Sequence, residues 1–170
     1  WSTEAQVSVS SGPADGCSII QAKNGSIIVF WGATIYGPAT PDEIMYRVYN
    51  GSSWGPEMQL TNDGPTGLDD VHPSAVLTRT GAIWVVWQQM DIDGVTSNIV
   101  YASSEDNGKT WSAVSQITST GADQWPSVTQ GNDRKIWVAF SSNRSGTYDV
   151  YSMTSDPLFY HDVAVTGISS

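Results

Sequence analysis

Short apolar runs recur along the chain and alternate with clusters of Gly, Asn, Asp and Ser. The most apolar runs lie at residues 27–31, 83–87 and 136–140 and consist mainly of β-branched and aromatic residues. Each run has the length of a strand and is followed by turn-forming sequence. No segment combines a sustained apolar period of 3.6 residues with helix caps. The pattern therefore predicts an all-β chain of short strands.

The apolar runs belong to a repeat of about 50 residues. Ser18, Ser74 and Ser127 are separated by 56 and then 53 residues, and the first residues of the three apolar runs are separated by the same two intervals. Each full repeat contains four strand-like runs, and the third contains three. Four strands in a unit of this length are typical of a β-propeller blade.

The repeat divides the chain into blades. We predict a half β-propeller over residues 1–160, with one blade at 9–61, a second at 62–118 and a partial third at 119–160. Residues 161–170 are predicted to be a tail or the start of a following surface-protein module.

Residues 1–8 have the pattern of a fourth strand. Trp1 precedes Gln6 by five residues, the spacing found where Trp54 and Trp111 precede Gln59 and Gln116. The third repeat loses the pattern after its third strand, and three blades are fewer than the four that a propeller usually needs. We therefore predict a two-fold homodimer with a six-bladed ring, in which residues 1–8 of each copy complete the partner's third blade.

One turn carries a specific motif. Ser104 to Trp111 reads Ser-Glu-Asp-Asn-Gly-Lys-Thr-Trp and resembles the Asp-box, S-x-D-x-G-x-T-W, of the BNR repeats in sialidase-type propellers. Asp106 can accept hydrogen bonds from backbone N–H groups, and Gly108 supplies a positive φ. Thr110 and Trp111 open the next strand. The resemblance implies a structural turn that takes no part in catalysis.

The catalytic residues that the sialidase resemblance implies are not found. Sialidases of this fold use an arginine triad, a Tyr nucleophile with its Glu, and an Asp acid/base. The first arginine lies in an Arg-x-Pro element, where this chain has Val71-His72-Pro73 and Gln124-Trp125-Pro126. We therefore expect a non-catalytic module for glycan binding, protein binding or structural spacing. The alternative is a fragment of a sialidase-like glycoside hydrolase whose catalytic residues lie outside this chain.

Composition narrows the possible partners. The net charge is −10, with only seven basic residues, which argues against nucleic acid and against anionic membrane surfaces. No apolar run reaches the length of a membrane span, so we expect no membrane insertion. The acidic, aromatic-rich composition resembles that of extracellular or cell-surface proteins, and we expect that location.

Candidate binding residues come from the loops before the first strand and after the second strand of each blade. Acidic and aromatic side chains together are typical of a glycan or peptide platform. The candidates are Tyr36, Asp70, His72, Asp123, Trp125, Asn143 and Arg144. The alternative is that Asp70 and Asp123 cap the loops, while His72 and Trp125 fill gaps between blades.

No cofactor is expected, with one open question about calcium. Asp91 and Asp93 precede Gly94 in the manner of some calcium loops, but no Glu follows at EF-hand distance. Turn formation explains the same residues. The single Cys17 excludes an internal disulfide and is predicted to be a buried, inert thiol on a first strand.

Overall fold

The strands form three antiparallel sheets, each a meander. The computed structural model describes residues 1–9, 12–37, 39–91 and 94–156, and within these ranges it contains β-strands and no helix. The strands are β1 (Ala14–Gln21), β2 (Ile27–Thr34), β3 (Asp42–Tyr49), β4 (Trp54–Gln59), β5 (Asp69–Leu77), β6 (Ile83–Met90), β7 (Ser97–Ser104), β8 (Ser115–Gln116), β9 (Asp123–Gln130), β10 (Ile136–Ser142) and β11 (Asp149–Thr154). Strands β1–β4 form blade 1, β5–β8 form blade 2 and β9–β11 form blade 3. The all-β prediction is confirmed.

The repeated serines join the inner strands of successive blades. Ser18 Oγ accepts a hydrogen bond from the N–H of Ala75 at 3.0 Å, and Ser74 Oγ accepts one from the N–H of Val128 at 3.2 Å. Strands β1, β5 and β9 thereby lie side by side, with β5 in the middle. The serine spacing that defines the sequence repeat is therefore the spacing of a contact between blades.

Two apolar cores fill the spaces between the blades. Phe30 of blade 1 and Trp87 of blade 2 are fully buried in the first core, and Phe140 of blade 3 is buried in the second. All three residues lie on the second strands of their blades. The second strand of blade 2 packs against blade 1 on one face and against blade 3 on the other. The continuous apolar runs of the second strands predict this burial, because a strand packed on both faces needs apolar side chains on both.

The Ser104–Trp111 turn is held by the carboxylate of Asp106. Its Oδ1 accepts the N–H groups of Lys109 and Thr110 at 3.0 and 2.9 Å, and its Oδ2 accepts the Thr110 hydroxyl at 2.7 Å. Ser104 Oγ accepts the N–H of Gly108 at 2.9 Å, and φ of Gly108 is 83°. Hydrogen bonds from Thr110 lower the pKa of the Asp106 carboxyl to about 2. The turn thus has the geometry that the sequence predicts.

We expect Asp106→Ala to destabilise the fold at neutral pH and to change its response to acid. Because folding lowers the pKa of Asp106, its stabilisation is complete above the ordinary value of 3.8 and is lost as the pH falls towards 2. Urea unfolding at pH 7, 4 and 2.5 measures the effect, with Glu105→Ala in the same turn as control. A constant difference between Asp106→Ala and wild type at all three pH values would contradict this role.

Blade 3 differs from the predicted repeat by one residue of register. Tyr101 pairs with Val86 and faces blade 3, and the sequence pattern predicts the same for Tyr151. Instead Tyr151 pairs with Phe140 and faces back towards blade 2. Because side chains alternate between faces, the one-residue difference reverses the direction of the ring. The residue equivalent to Ile99 is therefore Val150.

The predicted strand at residues 1–8 is not formed, because residues 1–9 have no strand pairing. Val7 instead packs against Trp31 and Met45 on the face of blade 1 that has no neighbouring blade. Its carbonyl oxygen accepts a hydrogen bond from Arg47 Nη1 at 2.7 Å. The predicted burial of Cys17 is wrong: its side chain is exposed, because no blade covers this side of β1. Residues 161–170 lie outside the described residues.

Candidate functional site

The inner strands carry the same backbone irregularity at one end of the molecule. Each of β1, β5 and β9 has a bulge just before its repeated serine. Gly16, His72 and Trp125 occupy the same position in these bulges, with φ values of 49°, 54° and 51°. A β-carbon on Gly16 would lie 3.1 Å from the His72 side chain, so the three bulges are neighbours. We call this group of bulges the axial site.

His72 and Trp125 adopt a left-handed backbone conformation that is uncommon for side chains of their size. Their rings meet edge to face with centroids 6.3 Å apart, and Trp125 is 63 % exposed. Gln88 from β6 lies beneath them, with Oε1 3.4 Å from both His72 Nδ1 and the N–H of Trp125. Strained backbone is maintained where the surroundings fix it, frequently at functional sites. The arrangement presents one aromatic face to solvent in a fixed position.

Asp70 lies near the start of β5, two residues before His72 of the axial site. It is fully buried, and its Oδ1 accepts hydrogen bonds from Trp87 Nε1 at 2.8 Å and from Gln89 Nε2 at 3.0 Å. Burial raises the pKa of the Asp70 carboxyl to about 7, although both hydrogen bonds favour the charged form. Its Oδ2 is buried without a hydrogen-bond partner among the described residues. The carboxyl joins the start of β5 to β6 and has no open path to a ligand.

Asp123, Asn143 and Arg144 form a second cluster in blade 3. Arg144 Nη2 makes an ion pair with the buried Asp123 Oδ1 at 2.8 Å. The guanidinium also lies over the rings of Tyr151 and Phe140, 4.6 and 5.2 Å from their centroids. Asn143 Oδ1 accepts the N–H of Ala122 at 2.8 Å. These contacts fix the loop after β10 onto the start of β9.

Tyr36 is directed away from these two clusters. Its hydroxyl hydrogen-bonds to Asn62 Oδ1 and accepts a hydrogen bond from Gln59 Nε2 at 3.3 Å. The structure therefore brings His72 and Trp125 together, places Asp70 behind them, and joins Asp123, Asn143 and Arg144 to each other. Sequence analysis missed Gln88 and Gly16. The available signal was position, because Gly16, His72 and Trp125 each precede a repeated serine by two residues.

The Asp91 turn is held by hydrogen bonds within the turn. Thr96 Oγ1 donates to Asp91 Oδ2, and the N–H of Asp91 donates to the Thr96 carbonyl at 2.9 Å. Asp93 lies outside the described residues. Across 1–9, 12–37, 39–91 and 94–156, no group of three or more His, Cys, Asp or Glu side chains is placed to hold a metal ion. The same ranges contain no helix long and apolar enough to cross a membrane.

Comparison with known proteins identifies the architecture. No family model and no curated protein matches the sequence. Solved structures that match include an α-L-arabinofuranosidase of Fusarium graminearum with an iminosugar inhibitor, at 15 % identity and a TM-score of 0.69, covering 84 % of this chain and 45 % of that one. An α-L-arabinanase of Penicillium chrysogenum complexed with arabinobiose matches at 16 % identity and a TM-score of 0.65, covering 84 % and 46 %. An endo-arabinase of Bacteroides thetaiotaomicron matches at 14 % identity and a TM-score of 0.63, covering 94 % and 61 %.

These likenesses extend over most of the chain at low sequence identity, so they show the fold alone. The chain spans about half the length of the structures it matches, from 45 % to 61 % in these three cases. Together with the three meander sheets and the side-by-side inner strands, they show that the chain has a β-propeller fold made of three blades.

Proposed function

We propose that the chain is a non-catalytic β-propeller module of an extracellular or cell-surface protein, and that it binds glycan at the axial site. The supporting observation is the pair His72 and Trp125, with an indole that is 63 % exposed and fixed by a strained backbone. Two other roles have to be distinguished from glycan binding by experiment. The ligand could be a protein surface, or the module could act only as a structural spacer.

An exposed indole suits a sugar because its flat apolar face can cover the C–H face of a pyranose or furanose ring. Trp has only two side-chain torsions, so ordering it on binding costs little conformational entropy. Here the backbone of Trp125 is also held by Gln88, and preorganisation of this kind raises affinity by reducing the cost of binding. His72 supplies ring nitrogens beside the indole, where a sugar hydroxyl can hydrogen-bond.

The burial of two acids near the axial site, Asp70 and Asp123, argues against these two groups as catalytic residues. A general acid or base must lie within hydrogen-bond reach of its substrate. Asp70 and Asp123 are both fully buried, and their Oδ1 atoms already bind Trp87, Gln89 and Arg144. Val71 and Gln124 occupy the positions at which the sialidase resemblance requires arginine. We further propose that the Ser104–Trp111 turn is an Asp-box of the BNR type.

The comparisons favour glycan over other ligands. The three structures compared above are described as an α-L-arabinofuranosidase, an α-L-arabinanase complexed with arabinobiose and an endo-arabinase, and an ulvan lyase matches at a TM-score of 0.56. We therefore choose arabinobiose and longer arabino-oligosaccharides as the first probes. A glycan array covers other sugar classes.

Replacing Trp125 with alanine is expected to weaken glycan binding at least about tenfold, the equivalent of 1.4 kcal/mol. Titration calorimetry with the best array hit measures the change. Trp54→Ala is the matched control, because Trp54 lies at the β3–β4 turn, on the opposite end of blade 1. Unchanged affinity in Trp125→Ala would exclude the axial site, and absence of any glycan hit would favour the spacer.

The competing hypothesis is a fragment of a sialidase-like glycoside hydrolase with catalytic residues in other blades. The observation that favours this hypothesis is that the chain covers only about half of each matched enzyme, so the other half of such an enzyme has no counterpart here. Fluorogenic sialoside and arabinofuranoside assays separate the hypotheses. Turnover by this chain alone would refute the non-catalytic proposal.

A further inference from the structure

We propose that two copies of this chain form a closed six-bladed ring, in which residues 1–8 of each copy supply the fourth strand of the partner's blade 3. The interface is formed by the outer face and edge of blade 3 in one copy and by the open face of blade 1 in the other. This proposal does not depend on the ligand of the axial site.

Val150 shows that blade 3 lacks a neighbour. The register of the sheets makes Val150 equivalent to Ile44 of blade 1 and Ile99 of blade 2. Each of these third-strand residues pairs with the sixth residue counted from the start of the second-strand run in its own blade. The pairs are Ile44 with Gly32, Ile99 with Gln88, and Val150 with Ser141. Ile44 and Ile99 are 0 % exposed and pack in the two cores between blades, whereas Val150 is 82 % exposed. An apolar side chain at a position that is buried in both other blades indicates a further blade on this side.

A fourth strand, which blade 3 lacks among the described residues, has a defined chemical role in the other two blades. In blades 1 and 2, the N–H groups of Ile44 and Ile99 donate to the hydroxyls of Thr61 and Thr118 at 2.8 and 2.9 Å. These threonines lie two residues after the Gln of the Trp-x4-Gln pattern. In residues 1–8 the same position is held by Ser8, which also carries a hydroxyl. Ser8 Oγ of a second copy is therefore the acceptor that fits the N–H of Val150.

Residues 1–9 already lie where the fourth strand of a preceding blade would lie. Leu60 packs against the core between blades 1 and 2, and Ile117 packs against the core between blades 2 and 3. Val7, the equivalent residue, packs against Trp31 and Met45 on the open face of blade 1. Among the described residues no third strand pairs with this segment, which accounts for its lack of strand pairing. Strand β11 of a second copy, which has a free outer edge among the described residues, provides that neighbour.

The hydrogen bond that joins the inner strands of successive blades has its next acceptor, Ser127, on the outer side of blade 3. Ser127 of blade 3 is exposed, whereas Ser18 and Ser74 each accept an N–H group from the next blade. The N–H group equivalent to those of Ala75 and Val128 belongs to Ile19, whose side chain is also exposed. Docking blade 3 on the partner's blade 1 brings Ser127 to Ile19 of the partner.

Two copies suffice to use both open faces. A two-fold axis makes the two junctions identical, each joining blade 3 of one copy to blade 1 of the other. Six blades lie within the usual four to eight of propellers. Two blade-to-blade junctions together bury an area expected to exceed about 1,600 Å², the size of a standard stable interface.

The first test is the mass of the complete chain in solution by light scattering. We expect a species of twice 18.3 kDa for wild type. Val150→Lys should convert it to the single-chain mass, because the lysine would have to be buried between blades. The matched control is Val95→Lys, at a valine that is 70 % exposed in a loop of blade 2, and this variant should remain a dimer. A monomeric wild type, as expected if further blades of a longer chain cover these faces, would overturn the proposal, as would a dimeric Val150→Lys.

The second test reads the register of the new strand pair and does not depend on disrupting the fold. In blades 1 and 2, the residue just before the repeated Gln pairs with the third-strand residue two positions after Ile44 or Ile99: Met58 with Tyr46, and Ser115 with Tyr101. The equivalent residues are Ala5 and Ser152, so Ala5 is expected to lie opposite Ser152 of the partner. In a Cys17→Ser background, Ala5→Cys with Ser152→Cys should therefore form a covalent dimer under mild oxidation. Ala5→Cys with Thr154→Cys, two residues out of register on the same face, is the control. Equal cross-linking in both variants, or none in the first, would refute the predicted pairing.

Discussion

Replacing Trp111 with alanine is expected to lower the free energy of unfolding by about 3–5 kcal/mol, the range for removal of a large aromatic side chain from a core. Trp111 belongs to blade 2, where it lies between β7 and β8, but its indole packs on blade 1. The indole lies edge to face with the rings of Phe30 and Tyr46, at centroid distances of 5.8 and 5.7 Å. Removing it opens a cavity between blades that the rigid meanders cannot close. Urea unfolding of the complete chain measures the loss.

Trp54→Ala is the control for this experiment, because Trp54 holds the same place in the repeat of blade 1. No blade of this chain precedes blade 1, and the ring contact of Trp54 is with Tyr49 of its own blade at 5.4 Å. We expect Trp54→Ala to cost less than half as much as Trp111→Ala. Equal losses would show that the indole stabilises its own hairpin and that contact between blades contributes little.

The repeat allowed most of the fold to be predicted from the sequence. Ser18 and Ser74 mark the inner strands at their contacts with the next blade, and Ser127 holds the same position on the inner strand of blade 3. The runs that start at Ile27, Ile83 and Ile136 are continuous in apolar residues because second strands lie between two packed faces. Spacing and apolar content are both visible in one sequence, so blade number and strand order followed from them.

Register and burial at the ends of the chain could not be predicted in the same way. Tyr151 was aligned with Tyr101 by identity, but the hairpin between β10 and β11 places it one residue out of step, on the other face. Cys17 was expected to be buried as a residue of an inner strand. Burial depends on the neighbouring blade, and blade 1 has none on that side within this chain.

The axial site was only partly predictable. His72 and Trp125 were selected as loop residues, but a positive φ is uncommon for any residue other than Gly, so the bulges were not foreseen. Gln88 was missed because it directly follows an apolar run, and the sequence does not show which groups its side chain contacts. The predicted ligand residues Asp123, Asn143 and Arg144 satisfy each other or the backbone of blade 3. A sequence shows polar residues near a loop but not which of them already have partners.

Asp70→Asn is expected to stabilise the protein above about pH 4, by an amount that grows to about 4 kcal/mol by pH 7 and changes little beyond it. The folded state holds the Asp70 carboxyl with a pKa of about 7, raised by burial from 3.8. Such a group favours folding fully below pH about 4, and its contribution is lost as the pH rises through 7, because the unfolded chain ionises it more easily. Asparagine keeps an oxygen to accept the hydrogen bonds of Trp87 and Gln89 and carries no charge at any pH. Wild type and variant should therefore have similar stability at pH 4 and diverge between pH 4 and 7.

The sign of this effect separates Asp70 from the other acid with a strongly shifted pKa. Asp106 has a lowered pKa, so its stabilisation is lost below pH 4, whereas that of Asp70 is lost above it. Urea unfolding of both variants at pH 3, 4, 6 and 8 measures the two windows independently. A variant Asp70→Asn that is destabilised at pH 8 would contradict this prediction, because it would mean that the folded state is stabilised by the ionised form of the carboxyl.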